Sequence, residues 1–131
     1  MVRLGLVRVR GRSMEPGLHE GDRVVVLRGV RPVIGRPHVV RLPPDPDGAR
    51  RPLAIKRITG TDPDDGSRYW VDSDNPKHGV TSFDPSVGSL SPEQVRAVMI
   101  FRVPGIPRPA PYATRGIAIG LQQARRLLTR R

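Results

Sequence analysis

The stretch Gly11-Arg-Ser-Met-Glu-Pro-Gly-Leu-His-Glu-Gly-Asp22 joins two apolar runs, Leu4 to Arg10 and Arg23 to Arg28. Its glycines and proline mark a turn, and the alternating runs on either side read as strands. The turn carries a hydroxyl at Ser13. Alone, a serine is a weak nucleophile that needs a base within hydrogen-bond reach. Of the 23 basic residues only Lys56 and Lys77 are lysines, and Lys56 lies in the apolar segment Leu53-Ala-Ile-Lys-Arg-Ile58. Alternation puts Lys56 on one strand face with Ala54 and Ile58, and Arg57 on the other. Apolar neighbours disfavour the ammonium, so the lysine could take a proton from serine. The pair suggests a Ser/Lys hydrolase.

Working outward, His38 to Leu42, Arg68 to Asp72 and Val95 to Val103 read as further strands. Asp45-Pro-Asp-Gly48 and Asp62-Pro-Asp-Asp-Gly66 read as turns between them. The second has neither the glycine position nor the closing glutamate of a calcium loop. Fourteen glycines, 15 prolines and 4% aromatic residues favour short strands joined by turns over a helical bundle. The predicted fold is therefore mainly β, a coiled antiparallel sheet or partly open barrel with a C-terminal helix.

With 131 residues the chain is long enough for one modest core. The expected organisation is a catalytic domain over 1–103, a proline-rich connection over 104–114 and a basic amphipathic helix over 115–131. In that helix Ile117, Leu121, Ala124 and Leu128 recur at helical spacing between arginines. It would pack on the parent domain or lie on an anionic membrane surface.

The absence of cysteine removes disulfides, thiolate metal sites and a cysteine nucleophile. His19, His38 and His78 have no metal-ligand spacing, and Glu15 and Glu20 lack the partners of a glycosidase pair. No metal or cofactor is expected. The net charge of +11 is carried by 21 arginines that read as scattered along the chain, with few aromatics to stack on bases. Specific nucleic-acid binding is not expected, although contact with anionic lipid would suit the charge. The longest run without a charged residue, Gly116 to Ala124, is nine residues, against the ~20 of a membrane helix. The opening Met-Val-Arg-Leu-Gly-Leu-Val-Arg reads as a strand and not as a signal peptide. The expectation is a cytoplasmic or peripherally membrane-associated protein.

Ser13-Met14 followed by Pro16, Leu18 and Gly21-Asp22, then Lys56-Arg57, then Ser73-Asp74-Asn75, resembles the type I signal peptidase family in both motifs and order, over roughly Val7 to Val103. Gly35 to Leu42 stands where the family has Gly-Asp before an apolar strand, with Arg36 replacing the acid. The resemblance implies a serine endopeptidase with a Ser13/Lys56 dyad that removes an N-terminal leader or signal peptide from a precursor protein. Met14 would flank the nucleophile beside the lysine stem, and Pro16 would stiffen the turn. Gly21, Asp22, Arg57, Asp74 and Asn75 would support the motifs. The oxyanion donor would be the Ser13 amide; Gly11 stands where many members carry a serine that supplies a second one. Ser73 replaces a family glycine. Ser82 would hydrogen-bond and orient the lysine with Asp84 in support, while the arginine that closes the family's last motif is missing.

A short form is similar to the maturation protease of nickel-type superoxide dismutase. A LexA-type autoprotease shares the Ser-Met-x-Pro and lysine motifs, but no DNA-binding segment or Ala-Gly cleavage site precedes Ser13. A third reading is an inactive fold reused for binding.

Overall fold

The computed structural model describes residues 1–104, so the connection beyond Pro104 and the helix expected over 115–131 lie outside the described residues. Six strands follow in order: β1 (Arg3–Arg8), β2 (Arg23–Arg28), β3 (Pro37–Val40), β4 (Ala54–Thr61), β5 (Tyr69–Asp72) and β6 (Val95–Arg102). They form one sheet, ordered β1-β2-β6-β3-β4-β5, in which every neighbouring pair is antiparallel. The mainly β, antiparallel expectation is met, and the sheet is open, with β1 and β5 as its edges.

Period-two alternation explains how the sheet buries apolar side chains on both faces. Val24, Val26, Val39, Ile55, Ala97 and Met99 form one cluster, to which the turn between β1 and β2 contributes Met14 and Leu18. Val40, Leu42, Ile58, Val71, Val87 and Leu90 form the other, with Ala54 packed against it. Consecutive residues on β3 and β4 thus go to opposite sides. Lys56, between Ile55 and the Ala54/Ile58 face, shares the second side.

Strand ends depart from the sequence expectation for local reasons. β1 stops at Arg8 because Val9 exchanges its backbone bonds with the turn: its N–H donates to Asp22 O at 2.7 Å, and its carbonyl accepts from Gly21 N at 2.9 Å. β3 stops at Val40, where its register against β6 shifts, and the next amide, Arg41 N–H, donates to Gln94 O. β4 runs to Thr61, two residues beyond the strand expected over Leu53 to Thr59, across a register shift between Ile58 and Gly60. A 3₁₀ turn at Pro92–Gln94, not anticipated, precedes β6. Ser91 N–H donates to Gln94 Oε1 at 2.8 Å, the reciprocal half of a capping box that the Ser-Pro-Glu-Gln spacing encodes.

Candidate active site

The turn between β1 and β2 is anchored from below and gripped from the side. Met14 and Leu18, each 2% exposed, sink into the first core cluster, so Ser13 is raised at the rim. Met14 thus flanks Ser13 as a core anchor. Gly11 and Gly21 take φ of +76° and +91°, backbone conformations that glycine adopts without penalty. Asp22, 1% exposed, accepts the His19 amide at 2.8 Å and closes the far end of the turn.

Three successive residues after β5 grip three parts of the site. Ser73 Oγ accepts a hydrogen bond from Lys56 Nζ at 2.8 Å. Asp74 takes both arms of Arg57, from Nε at 2.9 Å and Nη2 at 2.8 Å, while Arg57 Nη1 donates to Gly35 O. Asn75 holds the nucleophile turn: its N–H donates to Ser13 O at 2.9 Å and its side-chain amide to Arg12 O at 3.0 Å. Arg57, Asp74 and Asn75 therefore frame the turn and the lysine strand without entering the reaction centre.

Gly79 closes over Ser13, Lys56 and Ser73. A Cβ at this position would sit 2.5 Å from Lys56 Nζ, 2.7 Å from Ser13 Cβ and 2.8 Å from Ser73 Oγ, and the residue has φ of +83°. Only glycine permits backbone this near the three side chains. The motifs did not single out Gly79. Ser13, Lys56 and Gly79 line one cleft of about 360 Å³, shared with Gly11, Arg51 and Ala54.

Lys56 is 2% exposed. Burial pushes its pKa from 10.5 down to about 8, against the opposing pull of the Asp72 carboxylate. A useful fraction of the amine is then neutral near physiological pH. The Ser73 hydroxyl donates to Val80 O at 3.4 Å and so receives the lysine N–H on its lone pair. That leaves the lone pair of a neutral lysine unspent and able to accept a proton from Ser13. The Ser13 amide, the candidate oxyanion donor, makes no hydrogen bond among the described residues, and Ser13 O points into the Asn75 clamp.

Two sequence assignments are corrected by the geometry. The hydroxyl on Lys56 belongs to Ser73 and not to Ser82: Ser82 is 4% exposed and pairs with Val71, its Oγ accepting Val71 N–H at 2.8 Å and its own N–H donating to Val71 O. Asp84 does not support Ser82; it accepts Ser86 N–H at 2.9 Å and Ser86 Oγ at 2.7 Å, organising its own turn. Pro16 follows a cis peptide bond in the nucleophile turn. His38, 1% exposed, is saturated within its own loop by Arg36 O and Val33 N–H. Among the described residues no cluster of His, Cys, Asp and Glu could hold a metal ion.

An open antiparallel sheet that raises a serine and a buried, deprotonable lysine onto one cleft defines a serine peptidase-type domain. The Peptidase S24-like family model matches residues 2–90, and the chain belongs to that family. No curated protein and no solved structure matches it. Among the described residues no helix is long and apolar enough to cross a membrane.

Proposed function

We propose that the protein is a serine endopeptidase in which Ser13 is the nucleophile and Lys56 the general base, and that it removes an N-terminal leader from a precursor protein. The observation that carries this reading is the burial of Lys56 on the cleft of Ser13, with a pKa near 8. Neutral Lys56 Nζ takes the Ser13 hydroxyl proton as Oγ bonds to the scissile carbonyl carbon. The tetrahedral oxyanion is met by the Ser13 amide. Collapse breaks the C–N bond, and the Lys56 ammonium returns the proton to the leaving amine. Water, deprotonated by the same lysine, then releases the acyl segment and restores Ser13. Signal processing and the dedicated maturation of one precursor share these steps and differ only in the substrate.

The test is N-terminal sequencing of a precursor-peptide pool after incubation with the protein, alongside Ser13→Ala and Lys56→Ala. New N-termini near the start of the precursors, absent with either variant, support leader removal. Termini that persist with Ser13→Ala reject the dyad. Cleavage confined to this chain itself rejects leader removal in favour of autoproteolysis.

A further inference from the structure

The arginines that read as scattered in the sequence are gathered by the fold. A second cleft, about 600 Å³, is walled by Arg8, Arg10, Arg28, Arg41, Arg50 and Arg51 over a floor that includes Val39 and Ile55, and no acidic residue lines it. An adjoining hollow adds Arg3 and Arg96. The ion pairs Arg12–Glu15, His19–Glu15 and Arg57–Asp74 all lie elsewhere. Burial, followed by the like charges of Arg50 and Arg96, holds the Arg41 pKa below its ordinary value. Arg51 is occupied structurally, by Pro43 O and Ser86 Oγ, and its acidic neighbour Asp84 lies outside the cleft. Arg8, Arg10, Arg28 and Arg50 are exposed. Gathering cations around a concavity is electrostatically unfavourable until an anion enters.

This cleft runs into the one that holds Ser13 and Lys56: Arg51, Pro52 and Ala54 line both. A chain that leaves the Ser13 cleft past Arg51, Pro52 and Ala54, at the start of β4, comes within reach of the arginines. We infer that the cleft binds an acidic segment of the polypeptide substrate, in which carboxylates alternate with apolar side chains, on one side of the bond to be cut. This rests on the peptidase reading above. Guanidinium groups take carboxylates bidentately, and the valine and isoleucine floor takes the intervening side chains. No aromatic residue lines the cleft, so it lacks the stacking platform of a single-stranded nucleic-acid site. Its concave, apolar floor suits a single extended chain better than a flat layer of lipid headgroups. The substrate thus carries its specificity beyond the residues next to the scissile bond.

The experiment measures binding separately from cleavage, using the full chain with Ser13→Ala. Fluorescein-labelled decapeptides of alternating Glu and Val, Gln and Val, and Lys and Val are titrated by anisotropy at 0.15 M NaCl, beside a ten-nucleotide oligothymidylate and phosphatidylserine vesicles. The acidic peptide should bind at least ten-fold more tightly than the glutamine peptide. Adding Arg8→Glu and Arg50→Glu should remove that preference, and the milder Arg8→Gln with Arg50→Gln should weaken it; the milder pair decides if charge reversal disturbs the fold. Equal affinity for the Glu and Gln peptides overturns the inference. So does tighter binding of the oligonucleotide or the vesicles that displaces the acidic peptide. In the chain with Ser13 intact, the Gln pair should raise KM for an acidic peptide and leave kcat unchanged. No acidic preference in the parent chain, with Ser13-dependent cleavage present, counts against the cleft alone. Binding retained with no Ser13-dependent cleavage counts against the peptidase reading alone.

Discussion

Ser73 Oγ accepts a hydrogen bond from Lys56 Nζ at 2.8 Å and donates its own to Val80 O. The direction of this chain decides which way the lysine lone pair faces. Ser73→Ala should lower kcat roughly 10- to 100-fold, as expected when a general base loses its orientation, while Ser73→Thr should restore most of it. Because Ser73 does not line the cleft, KM should stay close to wild type. A kcat for Ser73→Ala equal to wild type would show that Ser73 does not orient the lysine.

The pH profile follows from the lysine. In the proposed mechanism its active form is neutral, so kcat/KM should rise about ten-fold per pH unit below the pKa and level off above about 8. At pH 6 the rate should be roughly one hundredth of the plateau. A profile flat from pH 6 to pH 9 would show that Lys56 is not the base.

Gly79→Ala should cut activity at least 100-fold, because its methyl group would occupy the space between Lys56 Nζ and Ser13. Gly48 supplies the control. Its φ is +84°, almost the same, but nothing lies within 4 Å of its Cβ position. Gly48→Ala should therefore pay only the left-handed backbone cost of ~1–2 kcal/mol in stability and retain activity. Equal activity losses in the two variants would trace the effect to backbone strain and not to closure of the site.

Lys56→Met should abolish activity and stabilise the fold at neutral pH. The displacement of the lysine from 10.5 to about 8, at ~1.4 kcal/mol for each tenfold change in proton affinity, sets an upper limit of roughly 3 kcal/mol; loss of the Ser73 bond brings the expected gain to ~1–3 kcal/mol. The sign fixes the pH window. The unfolded chain keeps the lysine proton up to 10.5 and the folded chain only to about 8, so wild type gains stability as pH rises from 8 to 10.5 and loses it again as pH falls through 8. Urea melts at pH 7 and pH 10 should show the variant's advantage shrinking at the higher pH.

How much of this was legible in the sequence follows from what is local. The six strands could be placed because alternation and Gly/Pro turns are properties of neighbouring residues, as in Arg23 to Arg28, where Val24 and Val26 are buried and Val25 lies between them less so. Ser73 was not legible as the lysine's partner, because its position depends on the β4–β5 register that sets Arg57 against Asp72. Extended by one residue, that register puts Ser73 opposite Lys56. Ser82 was misassigned for a related reason: its hydroxyl is captured by Val71 N–H, a contact between loop and strand that no motif spells out. Gly79 was indistinguishable from the other glycines, since what sets it apart is the approach of Lys56, Ser13 and Ser73, all distant in sequence. The arginine cleft stayed hidden because Arg8, Arg28, Arg41 and Arg50 come from separate parts of the chain and meet only in the sheet.

The clamp at Ser73, Asp74 and Asn75 also ties the proposed chemistry to folding order. Asn75 reaches back 63 residues to Arg12, so a nascent chain carries Ser13 long before it carries the grip that holds it. Until the β4–β5 hairpin has formed and returned to the first turn, the lysine is hydrated, keeps its proton and cannot activate the serine. On the proposed mechanism, the reactivity of Ser13 is thus a property of the completed fold and not of the turn that carries it.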